Sequence, residues 1–284
     1  MLTDHLLFET ESYSLSDVHC RCARGGWSAP EWVESTRLVL PRRGVFEHSS
    51  RGRTTVAEPN RLLWFHDAQS YRIRHPGDLG DRCTVVRARP EALGEAALEA
   101  GLDPDALSGL RASTIGADLD AAHRELLLCA SHSRPEPLAL EEACAELLRR
   151  AILASAPGPE RERGSPNGDP GRQRRLAERA RLALAIRLDR SLTLRELADT
   201  LGCSPSHLCR VFRRATGTAL GEYRALLRVR SALDRLAEGE EDLTTLALDL
   251  GFYDHAHFTR TFRRRLGVPP SAWREAAAGR RLVA

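Results

Sequence analysis

Hydrophobic positions along this chain follow two different periods, separated by a segment that has none. Residues 14–90 hold short runs in which apolar and polar residues alternate or β-branched residues cluster. Among them are DVHCRCAR, STRLVLP, RTTVAEP, NRLLWFH, SYRIRHP and RCTVVRA, broken at close intervals by Gly and Pro. A period of two with turn residues between the runs predicts the strands of a small antiparallel barrel or sandwich. From residue 91 the period lengthens. ADLDAAHRELLLCASH and LALEEACAELLRRAILAS place Leu, Ile and Ala at steps of three and four, with the breaker RPEP between them, which predicts two helices. Residues 155–171 read SAPGPERERGSPNGDPG, with four prolines, four glycines and no apolar face, and are expected to be a linker. Beyond it the helical period runs almost to the last residue. The expected fold is α+β: a β-barrel with a helical pair over 1–154, a linker over 155–171 and an all-α domain over 172–284.

The all-α part contains the same unit twice. LTLRELADTLGCSPSHLCRVFRRATG spans Leu192 to Gly217, and LTTLALDLGFYDHAHFTRTFRRRLG spans Leu243 to Gly267. Gly202 pairs with Gly251 at an offset of 49, while His207, Arg210, Phe212, Arg213, Arg214 and Gly217 pair with His257, Arg260, Phe262, Arg263, Arg264 and Gly267 at an offset of 50. One residue has entered the turn of the second copy. Each copy reads as an apolar helix, a glycine where the chain must turn, and a capped second helix, which is the helix-turn-helix plan. Thr193 with Glu196 forms a capping box, Ser204 then Pro205 supply an N-cap and an N1 proline, and Asp254 takes the cap position in the second copy. On these grounds the first unit is expected to be the more rigidly capped.

Helical spacing puts Leu208, Val211 and Phe212, or Phe258, Thr261 and Phe262, on one face of each second helix. Ser206, His207 and Arg210, and Ala256, His257 and Arg260, then point outward. Arginine donates twice to guanine in the major groove, where the N-terminal part of such a helix lies. A single outward arginine is usually solvated charge, but matched arginines in two copies favour a reading role. His207 and His257 fit first-turn packing and base contact equally. Between the copies, Ala219 to Glu238 is a helix of 20 residues, about 30 Å long, near the roughly 34–36 Å between successive major-groove faces. Arg224, Arg228 and Arg230 on it are expected to be solvated or to touch the DNA backbone.

Charge sharpens the choice of partner. Residues 1–171 carry 20 arginines against 26 carboxylates, a balance of −6, whereas 172–284 carry 22 against 13, or +9. That asymmetry is expected where only the second part meets a polyanion, here double-stranded DNA. Every basic residue is arginine, which carries no separate functional meaning. The first residues lack the basic flank and apolar run of a secretory leader, and nowhere do eighteen uncharged apolar residues follow one another. A cytoplasmic protein without membrane contact is therefore expected. The seven cysteines are scattered and odd in number, unlike a disulfide framework.

GFYDHAHFTRTFRRRLGVPPSAWR, from Gly251 to Arg274, closely resembles the signature of AraC/XylS-type transcription regulators, and the resemblance extends over 172–274. It implies a seven-helix DNA-binding domain with two helix-turn-helix units on a long shared helix, preceded by a variable domain that senses an effector, dimerises or does both. RNA polymerase is an implied partner. Carried across, the base-reading positions are Ser206, His207 and Arg210, then His255, Ala256 and Arg260, with Arg213, Arg214, His257, Arg263 and Arg264 completing the expected DNA-binding set. Pro269, Pro270 and Trp273 are expected to close the second core. The region up to Pro90 resembles the cupin-like barrel of such regulators. The helices over 117–154 serve equally as a lid on that barrel or as a homodimer surface.

The first part also carries soft metal ligands. Cys20 and Cys22 alternate along one predicted strand and so share a side, and His75 and Cys83 flank a glycine-rich turn. Three thiolates and an imidazole suit Zn²⁺ or another thiophilic metal. The competing reading is that the cysteines are small buried hydrophobes and His75 holds a turn. His48 and His66 are further possible ligands without an informative spacing. An enzyme, in the form of a DNA-tethered metal-dependent cupin, is the alternative class. It lacks a paired-histidine-and-glutamate cluster, a nucleophile motif and a phosphate loop. A DNA-repair methyl acceptor finds only a faint echo in HCRCAR. A regulator without catalytic activity, responding to a small molecule or a metal, is the expectation.

Overall fold

The computed structural model describes residues 2–22, 24–78, 80–130, 136–156, 169–189 and 192–281, the last five by their backbone alone. The chain forms two compact units, one built mainly on Met1–Gly158 and the other on Pro159–Ala276.

In the first unit the strands are β1 (Leu2–Glu9), β2 (Tyr13–Cys20), β3 (Glu31–Trp32), β4 (Arg37–Gly44), β5 (Phe46–Ser50), β6 (Arg53–Ala57), β7 (Arg61–Phe65), β8 (Ser70–Arg74), β9 (Asp81–Ala88) and β10 (Ser113–Thr114). They pair antiparallel into two sheets, ordered β1-β2-β9-β4-β7-β10 and β3-β8-β5-β6. The sheets face each other in the manner of a cupin-like barrel. Helices α1 (Pro90–Glu99), α2 (Ala117–Ala130) and α3 (Pro137–Ser155), with a 3₁₀ turn at Pro104–Gly109, cover the outer face of the larger sheet.

This layering explains why STRLVLP and NRLLWFH are apolar without a break. Leu15, Leu38, Leu40, Leu62, Trp64 and Val86 point to the helices, while Val39, Leu63, Phe65, Cys83 and Val85 point to the second sheet and meet Phe46, Ala57 and Tyr71. A central strand buried on both faces loses the alternation of a half-exposed one. The far end of α3 is pinned to the sheet by Trp64 Nε1 donating to Ser155 Oγ at 2.9 Å and by Ser113 Oγ donating to the Ala154 carbonyl. Leu140, Cys144, Leu147, Leu148, Ala151 and Ile152 turn the apolar face of α3 inward. Its outer edge keeps Leu138 and Leu153 exposed. Strand β1 was not legible, because as an edge strand it leaves Leu2, Leu6 and Leu7 exposed and so shows no alternation. The expected linker is helical at both ends: Ser155 ends α3, and Asp169 caps the next helix through Gly171 N. Residues 157–168, like 131–135 in the expected RPEP break, lie outside the described residues.

The second unit is α4 (Pro170–Ile186), α5 (Leu194–Leu201), α6 (Pro205–Thr216), α7 (Leu220–Glu238), α8 (Leu243–Asp249), α9 (His255–Leu266) and α10 (Pro270–Arg281). It has two cores. Leu176, Ala180, Leu184, Leu197, Ala198, Leu201, Leu208, Val211, Phe212 and Tyr223 make the first. Val229, Ala232, Leu233, Leu236, Leu246, Ala247, Leu250, Phe252, Phe258 and Phe262 make the second, against which Trp273 packs. Helix α7 serves both, with its first turns in one core and its last in the other. A fully buried Phe contributes on the order of 2–3 kcal/mol by area, so Phe212 anchors α6, and Phe258 with Phe262 anchors α9.

Candidate nucleic-acid interface and thiol cluster

Both second helices start on a side-chain cap. Ser204 Oγ accepts from His207 N at 3.3 Å with Pro205 at N1, and Asp254 Oδ1 accepts from His257 N at 2.6 Å. The cap elements expected of the first unit are all present, while the single cap bond of α9 is the shorter of the two. A carboxylate at a helix N-terminus gives a shorter, charge-assisted bond than a hydroxyl, and it also meets the positive end of the dipole. The preceding helices are capped too, by the Thr193–Glu196 box and by Asp242 accepting from Thr244 N and Thr245 N.

From these anchored helices Ser206, His207 and Arg210, and His255, Ala256, His257 and Arg260, are all exposed. His257 is not fully free to turn outward, because its ring stands edge-on to Phe252 at 5.4 Å. Arg213 and Arg214, and Arg263 and Arg264, are exposed in the last turns, where cations also favour the negative end of the helix dipole. Among the described residues none of these six guanidinium groups has a hydrogen-bonding or acidic partner. Residue Arg265 differs, since it pairs with Glu222 of α7.

The arginines of α7 overturn the expectation made for them. Arg228 and Arg230 are buried, and Arg224 is half-buried. Arg224 donates to the carbonyls of Leu192 and Arg187, and Arg228 donates twice to Leu188 O, at 3.1 and 3.0 Å, beneath the Phe252 ring. Burial lowers the Arg228 guanidinium to about 10, which leaves it charged. These side chains tie the segment between α4 and α5 to α7 and, through Phe252, to the turn between α8 and α9. Gly251 makes the approach possible. At φ +76 a Cβ there would sit 2.3 Å from Arg228 Nη2 and 2.7 Å from Leu188 O. Hydrophobic spacing could not reveal this, because Arg228, Arg230 and Asp234 lie on buried faces where the pattern calls for apolar residues. Phe252 takes the place of Cys203 in the core, and the residue added to the second turn, Tyr253, is 87% exposed just before α9.

In the first unit, Cys20, Cys22 and His75 come together, with one ligand atom of each within 4.8 Å of the others. Cys22 does not share a strand with Cys20, as had been expected, because β2 ends at Cys20 and Cys22 follows in the loop. Their sulfurs nevertheless touch, at 2.6 Å. Cys83 stands outside this trio and contacts Asp81 Oδ2 at 3.4 Å, while Asp81 Oδ1 takes His75 Nε2 at 2.6 Å. Asp81 was missed by sequence reasoning, although it follows the same glycine-rich turn. Burial, then the Cys22 contact, pushes the Cys20 thiol up to about 12, and burial also raises Cys83. His48 and His66 lie apart from the trio. His48 stacks on Phe65 and Tyr71 in the barrel, where burial brings it down to about 4, and His66 Nε2 bonds Leu110 O.

Two capped helix-turn-helix units on one shared helix, with free arginines on both second helices, define a DNA-binding transcription regulator. Residues 197–276 match the helix-turn-helix domain family, and residues 24–148 match the AraC-like ligand binding domain. The multiple antibiotic resistance protein MarA of Escherichia coli is 33% identical over 87 residues, which are 31% of this chain and 68% of MarA. The HTH-type transcriptional regulator YidL of the same organism is 32% identical over 106 residues, 37% of this chain and 36% of YidL. The transcriptional activator RhaR of Klebsiella pneumoniae is 28% identical over 156 residues, covering 55% of this chain and 54% of RhaR. The chain spans only about a third to a half of YidL and RhaR. It belongs to the AraC/XylS family. None of the described helices is long and apolar enough to cross a membrane.

Proposed function

We propose that this regulator reads two segments of one DNA face, about one helical turn apart, with α6 and α9 in successive major grooves. The observation that carries this reading is the contrast among its arginines. Arg224 and Arg228 hold protein carbonyls and Arg230 is buried, while Arg210 and Arg260 stand exposed at matched positions on capped helices. In this reading Ser206, His207 and Arg210 face base edges in one groove, and His255, Ala256 and Arg260 do so in the next, with His257 braced on Phe252. Arg213, Arg214, Arg263 and Arg264 meet phosphates, which position the protein without reading sequence. The 19 residues of α7 span about 28 Å, which suits that spacing. Protection of an operator by the full chain, compared with Arg210→Ala and Arg260→Ala, tests the assignment.

The barrel unit in this reading receives an effector, and the chain acts by binding, not catalysis, in the cytoplasm and with RNA polymerase as its partner. The names of its relatives as transcription regulators support the class. Homodimer formation through 117–154 would use the outer edge of α3, where Leu138 and Leu153 are exposed. Leu153→Glu is expected to shift the full chain from dimer to monomer in a sedimentation experiment, and an unchanged mass refutes that surface.

A further inference from the structure

We propose that Cys20, Cys22 and His75 form a site for a thiophilic divalent ion, Zn²⁺ first, held where the end of β2 meets the turn between β8 and β9. The three donors come from segments that the backbone already fixes against one another. Gly25 N donates to His75 O at 3.1 Å and Ser28 N to Ile73 O at 2.8 Å, which ties the loop after β2 to β8 and the residue beyond it. On the other side Cys20 pairs with Asp81 across the sheet. Glycine is required to bring these pieces together. A Cβ at Gly80, φ +63, would lie 1.9 Å from Cys20 O, and one at Gly44, φ +77, would lie 2.0 Å from Gly80 O.

The donor set and its surroundings suit the ion. Tetrahedral Zn²⁺ with bonds of about 2.3 Å to sulfur and 2.0 Å to nitrogen needs donor-to-donor edges of about 3.5–3.8 Å, and the trio lies within 4.8 Å. Cys22 is half-exposed in a loop, so rotation of its side chain opens the touching sulfurs to that edge. With the imidazole proton on Nε2, His75 donates to Asp81 Oδ1 at 2.6 Å and keeps the Nδ1 lone pair for the metal. Carboxylate support behind a ligating histidine is the arrangement that orients the ring and raises its basicity. Asp81 also engages Cys83, so that thiol buttresses the carboxylate. Three protein ligands leave a tetrahedral ion one open position, which allows a further small ligand to bind. Two soft thiolates and one imidazole favour Zn²⁺ over oxygen-preferring Mg²⁺ or Ca²⁺.

The test is metal uptake by the reduced full chain. After equilibration with Zn²⁺ and dialysis, mass spectrometry is expected to find one ion per chain, and Co²⁺ in its place should give sulfur-to-cobalt absorption. Cys22→Ser should remove that absorption, and Asp81→Asn should weaken affinity about 10–100-fold. Cys129→Ser, remote in sequence from the trio, should change neither. Far-ultraviolet circular dichroism equal to the parent shows that each variant is folded. A chain that takes up no ion with all its thiols reduced overturns the proposal. So does uptake that survives Cys22→Ser, or a thiol count showing Cys20 and Cys22 joined as a disulfide under the same reducing conditions.

Discussion

The two helix-turn-helix units are copies in sequence, but they are held in place differently. In the first, the turn is self-contained: Gly202 adopts φ +69 with open space around it, and the capping box and Ser204 close both helices locally. In the second, Gly251 at φ +76 is pressed against Arg228 and the Leu188 carbonyl, and Phe252, which matches Cys203 of the first copy, enters the core. The second unit therefore depends on the end of α4 and on α7, to which Arg235 further ties it through Asp249 at 2.8 Å. A duplicated motif keeps its reading surface while its supports diverge.

The largest expected effect separates the two glycines. Gly251→Ala should destabilise the second unit by about 2–4 kcal/mol, from left-handed strain together with overpacking against backbone and guanidinium. Gly202→Ala, with nothing within 4 Å of the added methyl among the described residues, should cost only about 1 kcal/mol of strain. Chemical denaturation of the full chain with each variant checks this, and equal losses would erase the contrast between the turns.

Next in size is the reading surface, where the units are expected to behave alike. Arg210→Ala and Arg260→Ala should each weaken operator binding by about 1–3 kcal/mol and relax preference at one base pair, as gel-shift titration against substituted operators would show. A loss in one variant only would mean that just one helix reads bases.

The smallest effect concerns the caps. Removing either side chain costs about 1 kcal/mol, with Asp254→Ala above Ser204→Ala because its bond is shorter and charge-assisted. Thermal unfolding of the two variants gives the order, and a larger loss for Ser204→Ala would favour the firmer capping that Pro205 suggests for the first helix-turn-helix unit.

Much of the helical domain was legible because its signals are local. Caps, turn glycines and steps of three and four lie within a few residues of one another, and the repeat marked Arg210 and Arg260 as matched. What escaped detection depends on distant partners. Arg228 reads as a solvated arginine by residue type, although it sits on a buried face, and only the fold brings Leu188 O to it. In the barrel the strands of the larger sheet were visible, but β1 showed no alternation at its exposed edge. Cys20, Cys22 and His75 stood out by chemistry alone. Their juxtaposition follows from the β2 loop and the β8–β9 turn meeting, and so does the supporting role of Asp81, which no spacing displays.

Hydroxyl-radical footprinting of the full chain on its operator tests most directly whether both units read DNA. The account predicts two protected segments on one face, about one helical turn apart, with Arg210→Ala altering base preference in one and Arg260→Ala in the other. A single protected segment, or two variants that alter the same base pair, would contradict it.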